Sequence, residues 1–278
     1  EIQEEDRNGS ASNQTKRALA SNLMEEICSD DNLRMAYKRV VSNRGAPGID
    51  GMTVEQFYDF MKQHKNKIVE ILKTDRYKPR PVRIVEIPKP NGGTRKLGIP
   101  IVLDRFVQQA VYQVLEKVLD GDFSPNSYGF RKGRSAHQAV TEANRHISEG
   151  NRFVVDIDIE SFFDQINHDR LMARLATYTD DKILLKLVRR FLQSGIMQNG
   201  VKEERNMGTP QGSPLSPLLA NVVLDELDKE LEKRGHKFCR YADDCNIFKS
   251  SRKAAERVKE YIEKFLNNKM KLKVNRDK

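Results

Sequence analysis

The stretch Arg-Phe-Val-Val-Asp-Ile-Asp-Ile at residues 152 to 159 constrains the fold more than any other part of the chain. Its alternation gives a β-strand with Val154, Asp156 and Asp158 on one face and Val155, Ile157 and Ile159 on the other, so the apolar face needs a packed layer behind it. Asp158 closes an otherwise apolar run, where a carboxylate turned toward a buried layer is costly unless it is paired or bound to a metal. Asp156 competes with it for that role. A second acidic element, KFCRYADDCNIFK at 237 to 249, reads as a β-hairpin with its tight turn at Ala242-Asp243-Asp244. Adjacent carboxylates at a hairpin tip repel each other unless a cation lies between them. An Asp-Asp turn alone is ordinary. With the acidic strand beside it, three carboxylates at adjacent strand ends could hold two Mg²⁺ ions about 3.5 to 4 Å apart, an arrangement suited to phosphoryl transfer.

The rest of the chain supplies helices and one strongly basic hairpin. Apolar residues recur at helical spacing over 18 to 41 (Leu23, Ile27, Leu33, Tyr37, Val40, Val41), broken by Ser-Asp-Asp-Asn, and again from Leu103 to Val118. NRGAPGIDG at 43 to 51 is a loop by its Gly, Pro and Asn content, and a helical pattern resumes after Thr53. Ser135 is placed to cap a helix ending before Gly150, and helices are expected at about 168 to 176 and 181 to 194. GTPQGSPLSP opens another helix with Leu219, Val222, Val223, Leu227 and Leu231 inward, and the last helix turns Ala255, Val258, Ile262, Phe265 and Leu266 to the core. Between residues 76 and 96, prolines and Asn91-Gly92-Gly93 delimit a β-hairpin. Seven Lys/Arg against Glu86 alone place most of the chain's excess of 49 basic over 40 acidic residues on that element.

Composition narrows the class. At 278 residues and 38% hydrophobic, with a mean hydropathy of −0.68, the chain is too apolar for a disordered tail and long enough for one large domain or two smaller ones. No run approaches the roughly 18 apolar residues of a membrane span, and EIQEEDRNGS lacks the charge and apolar order of a signal peptide. Residues 1 to 17 are polar and expected to fray. Cys28, Cys239 and Cys245 form neither a disulfide framework nor a zinc spacing, which fits a reducing cytosol. The five histidines show no ligand spacing, and His168 is expected to cap a helix. A net charge of +9 suggests a polyanionic partner without choosing nucleic acid.

Taken in order, NRGAPGIDG, PKPNGGTRKLGIP, DIESFFDQINH at 158 to 168, TPQGSPLSP at 209 to 217 and Tyr241-Ala242-Asp243-Asp244 resemble the blocks of reverse transcriptases, and among them the group II intron-encoded maturases. The resemblance covers almost the whole chain from about residue 40. It selects Asp158 over Asp156 as metal ligand beside Asp243 and Asp244, with the Ile159 carbonyl as an auxiliary ligand for two Mg²⁺ ions. It makes Phe163 the steric gate under the sugar, with Phe162 in the core. It implies that Gln211 contacts the incoming nucleotide and that Lys89 and Arg95 grip the triphosphate. RNA is expected at Arg76, Lys78, Arg80 and Arg83 of the hairpin and at Arg131, Lys132 and Arg134 of a loop that mixes cations with Tyr128 and Phe130. That loop could equally pack on the palm.

The implied architecture is α+β: the fingers and palm of a right-hand polymerase, with an antiparallel palm sheet and packed helices. Residues 1–42 form an N-terminal helical extension, 43–150 the fingers and 151–278 the palm. The implied activity is RNA-directed DNA synthesis from dNTPs on an RNA template with a DNA primer. The implied second role is binding the parent group II intron RNA to assist its splicing and mobility in a bacterial cytoplasm, with no membrane and with a homodimer left open. The sequence stops at Lys278, where the family's later palm block begins, so a fragment without a thumb is expected, extending primers poorly. A retron or diversity-generating reverse transcriptase, and an RNA-binding splicing cofactor without polymerase activity, are the alternatives.

Overall fold

The structure is a computed structural model and describes residues 19–88, 92–198 and 200–275. Its palm sheet has three antiparallel strands in the order β3-β7-β6: β3 Phe153–Ile157, β6 Lys237–Tyr241 and β7 Asp244–Lys249. Alternation sends Val155, Ile157, Phe238, Cys245 and Ile247 into the core, against helices α9 (Ser216–Lys233) and α10 (Arg252–Lys264). Each such side chain, fully buried, contributes about 1.5 to 3 kcal/mol. The opposite face of β6 and β7 is covered by α5 (Ala136–Ser148), where Tyr128, Ala139, Cys239 and Phe248 make a small second cluster. Ser135 and Gln138 close the expected capping box at the start of α5. On the same side of β3, Val154 and Asp156 are exposed, and Asp158 just beyond them is half-exposed. The acidic face of β3 therefore looks outward, and the expected cost of a carboxylate facing a buried layer does not arise.

The second sheet runs β2-β1-β4-β5, with β1 Val82–Pro88, β2 Thr94–Ile99, β4 Ile196–Gln198 and β5 Val201–Glu203. β1 and β2 form the basic hairpin, in the register Arg83↔Ile99 to Pro88↔Thr94. β4 joins β1 in parallel through Val82↔Ile196 and Arg83↔Met197, and β5 folds back on β4. Two strands from beyond residue 150 thus complete the sheet of the hairpin, and α5 from before residue 150 packs on the palm sheet. A cut at 150/151 would therefore part β1 and β2 from β4 and β5, and the palm sheet from α5.

Around these lie α1 (Leu23–Ile27), α2 (Asp30–Ser42), α3 (Phe57–Lys73), α4 (Val102–Leu119), α6 (Phe162–Gln165), α7 (His168–Leu175) and α8 (Lys182–Leu192). Ser29 breaks the first apolar run because its side chain caps α2 by accepting from Asn32 N. α4 is the hub, with Phe106, Val107, Ala110, Val111, Val114 and Leu115 all buried. One core runs from Leu23 to Leu272. The helices at 23 to 42 belong to it: Asn32 donates to the Ala110 carbonyl at 3.0 Å. His168 caps nothing. Asn167 accepts from Arg170 N as the cap of α7, while the His168 imidazole is buried with Nε2 2.7 Å from the Gly208 carbonyl. Among the described residues no helix is long and apolar enough to cross a membrane. The three cysteines are free and buried, and burial pushes the Cys28 and Cys239 thiols up to about 11 and about 12.

Candidate active site

The carboxylates meet at one end of the palm sheet. Tyr241↔Asp244 is the last pair of β6 and β7, so the turn is the two residues Ala242 and Asp243, and Asp244 already belongs to β7. A two-residue turn needs left-handed backbone, which Ala242 supplies at φ 58°. Asp243 is half-buried and Asp244 exposed. On the neighbouring strand Ile157 pairs with Cys245, and one residue further Asp158 comes opposite Asp244. Asp156 pairs with Asn246 inside the sheet, two residues short of the tip.

Asp158 is held by Asn275. Its Oδ2 accepts from Asn275 Nδ2 at 2.8 Å, and its carbonyl accepts from Asn275 N at 2.9 Å. Ile159 forms a β-bridge with Val274. Among the described residues no group of three or more His, Cys, Asp or Glu side chains forms a ready metal site. The donor chemistry fits a divalent ion all the same: hard carboxylate oxygens at a solvent-accessible tip suit a hard cation that keeps part of its water shell.

Phe163 sits on α6, half-buried, with its ring edge-on to buried Phe162 at 5.5 Å and to Phe130 at 6.4 Å. The loop carrying Gln211 is fastened at both ends. Gly208 N and Thr209 N donate to the Ile166 and Phe163 carbonyls at 2.7 and 2.8 Å, and Gly98 N of β2 donates to the Gln211 carbonyl at 2.7 Å. Gly212 (φ 108°) lies so close to β2 that a Cβ would stand 2.6 Å from the Gly98 carbonyl, which accounts for glycine there. The segment 208 to 211 is therefore tied by backbone hydrogen bonds to Phe163 at one end and to the hairpin at the other.

The predicted cations divide. Arg95 is exposed on β2, and Lys89 lies outside the described residues. Arg76, Lys78 and Arg80 are exposed along the approach to β1, Arg76 beside Glu70. Arg83 is half-buried, and its Nη2 donates to the Pro47 carbonyl at 2.7 Å, so it ties down the NRGAPGIDG loop. Arg131 is a correction. Its side chain is 5% exposed and engages Asp120 Oδ1 at 2.6 Å and the carbonyls of Asp120, Ser124 and Ser127. It braces its own loop. Lys132 is exposed, and Arg134 lies over the Tyr128 ring at 5.4 Å while Nη1 donates to the Pro125 carbonyl at 3.0 Å.

Lys132, Arg134, Phe130, Tyr241, Gly212 and Leu97 line a cleft of about 1040 Å³ together with Arg39 and Arg105. Sequence reasoning missed Asn275 and Arg240, whose partners come from distant segments. It also missed Arg105, which is buried in α4 with Nη2 2.9 Å from the Ala46 carbonyl. An arginine among the apolar repeats of that helix was the one available signal.

A carboxylate-tipped antiparallel sheet on two helices, opening on a basic cleft beneath a second, cation-rich sheet, is the palm-and-fingers arrangement of a right-hand nucleic-acid polymerase. Residues 87–278 match the family model described as reverse transcriptase (RNA-dependent DNA polymerase), and the chain belongs to that family. It is 36% identical over 219 residues to the group II intron-encoded protein LtrA of Lactococcus lactis subsp. cremoris, covering 78% of this chain and 36% of LtrA. It is 29% identical over 296 residues to protein YkfC of Escherichia coli K12, covering 92% of this chain and 78% of YkfC. A chain of a partial Cas6-RT-Cas1–Cas2 complex superimposes with a TM-score of 0.52 at 26% identity, over 88% of this chain and 42% of that one. The chain thus spans about a third of the length of LtrA.

Proposed function

We propose that this chain is the polymerase core of a group II intron reverse transcriptase and maturase, adding deoxynucleotides to a DNA primer on an RNA template. In the whole protein the same body binds the parent intron RNA to assist splicing and mobility, in the cytoplasm of a bacterium. The observation that carries the reading is the register of the palm sheet, which brings Asp158 alongside the turn that carries Asp243, next in the chain to Tyr241 and Ala242, with Tyr241 and Gly212 lining a basic cleft and the Gln211 loop bonded to the Phe163 carbonyl and to β2.

Asp158, Asp243 and Asp244, with the Ile159 carbonyl, would hold two Mg²⁺ ions, which when bound make the primer 3′-hydroxyl a better nucleophile and stabilise charge on the departing pyrophosphate. The other residues position. Asn275 donates to Oδ2 of Asp158 and so orients its carboxylate. Arg95, with Lys89, neutralises the triphosphate, and Phe163 closes the space a 2′-hydroxyl would need. The Gln211 loop, pinned to β2, sets the distance between base pair and sheet, a proximity effect. Lys78, Arg80, Lys132 and Arg134 hold phosphates of the RNA.

Single-nucleotide addition to a primer on an RNA template, with enzyme in excess and Mg²⁺ present, is the test. Addition by this chain and none by Asp243→Ala is the expected result. RNA binding without any addition would leave the splicing cofactor as the better reading.

A further inference from the structure

Arg240, the residue before Tyr241, is fully buried, and so is its partner Asp228 on α9. All five of its N–H donors are engaged. Nε donates to Asp228 Oδ1 at 2.8 Å, and Nη2 to Asp228 Oδ2 at 2.6 Å and Ser127 Oγ at 2.7 Å. Nη1 donates to Asn221 Oδ1 at 3.0 Å and to the carbonyl of Ala242 at 2.7 Å. Asn221 in turn donates to the Gly129 carbonyl at 3.0 Å, and Gly129 lies so close under the turn that a Cβ would stand 2.1 Å from Ala242 N. The backbone of Asn126 and Tyr128 runs along β6 as an extra edge, bonded to Arg240 N and to its carbonyl at 2.9 and 2.8 Å.

A dry ion pair is a poor device for stability, since apolar residues of similar volume in its place are often neutral or better. The charge at Arg240 needs another reason. A guanidinium is a planar fork with five donors in fixed directions. Here four of them lock the fork to α9 and the 126–129 loop, and the fifth reaches the carbonyl of the residue whose left-handed backbone makes the turn. Ala242 carries a Cβ and has no intrinsic preference for that conformation.

We infer that Arg240 is a positioning residue for the polymerase site: anchored by Asp228, Asn221 and Ser127, it holds the Ala242 carbonyl so that Asp243, next in the chain, presents its carboxylate in one orientation. The inference rests on the polymerase reading for its effect on rate, while its effect on the turn stands apart from that reading. The network also explains why Gly129 and Asn221, outside the acidic motif, converge beneath it.

The test is the paired replacement Arg240→Met with Asp228→Leu, which removes both charges and keeps the volume filled. The expected variant unfolds within about 4 °C of the parent and binds RNA with unchanged affinity. Its kcat for single-nucleotide addition falls about 100-fold with little change in the dNTP KM, the signature of a misplaced reacting group. Hydrogen exchange of the amides at 242 to 244 speeds up at least about tenfold while β3 and the body of β7 keep their protection. Should the pair fail to fold, Gly129→Ala, which pushes on Ala242 without touching the ion pair, is read by the same two measurements with the same expected direction. A folded variant with parental kcat and parental exchange at the turn overturns the inference. If the parent itself adds no nucleotide, the polymerase reading fails, and exchange at the turn still decides the role of Arg240.

Discussion

Asp158 and Asp243 reach the tip by different routes, one bonded to Asn275 and the other carried on a two-residue turn, yet removing either carboxylate should have the same effect. Asp158→Ala or Asp243→Ala is expected to abolish nucleotide addition while RNA affinity, measured by filter binding, stays within a few fold. Metal ligands act on the transition state, and affinity comes from phosphate contacts elsewhere. Phe163→Ala should raise ribonucleotide incorporation relative to deoxynucleotide in a competition assay; loss of all activity at an unchanged ratio would make Phe163 a core residue. Asn275→Asp should slow addition more than Asn275→Ala, because it sets a like charge against Asp158 where a donor stood. The acidic residues were legible because two carboxylates at strand ends are chemically conspicuous in one dimension. Asn275 and Arg240 were not, since their meaning lies in partners more than 10 residues away: Asp158 for one, Asp228 and Ser127 for the other. Arg131 misled for the converse reason. A cation among aromatics in a loop reads as a nucleic-acid contact, and nothing local shows that its fork closes on three carbonyls.

Helices and hairpins were largely readable, because periodicity and capping residues are local signals: Ser135 caps where the sequence places it, and the break at Ser-Asp-Asp-Asn falls where Ser29 caps α2. The parallel pairing of β1 with β4 was invisible, as a parallel partner more than 100 residues away leaves no turn to mark it. It matters for the basic hairpin, which is one edge of a four-stranded sheet. The exposed cations along it and its approach, Lys78, Arg80 and Arg95, are expected to neutralise RNA phosphates. The logarithm of affinity should then fall with the logarithm of salt by about 0.7 to 0.9 per phosphate contacted. Charge reversal at Lys78 and Arg80 should flatten the slope, measured by fluorescence anisotropy across a salt series. Arg83 is a poor choice for this experiment because its guanidinium holds the Pro47 carbonyl. A slope unmoved by both reversals would make the hairpin a solvated face.

Across the whole molecule the core is continuous, and one buried acid on α4 ties its stability to pH. Asp104 accepts from the Tyr77 hydroxyl at 2.7 Å and from Arg80 N at 2.9 Å. Burial nonetheless raises its pKa from 3.8 to about 7. The folded protein therefore holds this proton more tightly than the unfolded chain does between these two values. Its contribution to stability is full below about pH 4 and is lost as pH rises toward 7, with no further change above. Asp104→Asn should remove that decline, so the urea midpoints of variant and parent should separate progressively from pH 4 to pH 7 and run parallel beyond. Parallel curves over the whole range would mean that Asp104 titrates normally in the fold.

The parallel seam between Val82 and Ile196 also imposes a timetable on the ribosome. The hairpin ending at Ile99 emerges roughly 100 residues before Ile196, the start of the strand that must flank it. At about 5 to 20 residues per second this leaves an open β-edge for roughly 5 to 20 s. A bare edge invites pairing with a neighbouring nascent chain, and charged side chains along an edge discourage it. Of the charged side chains of the hairpin, Arg83 and Glu86 belong to β1, the strand whose edge waits for β4.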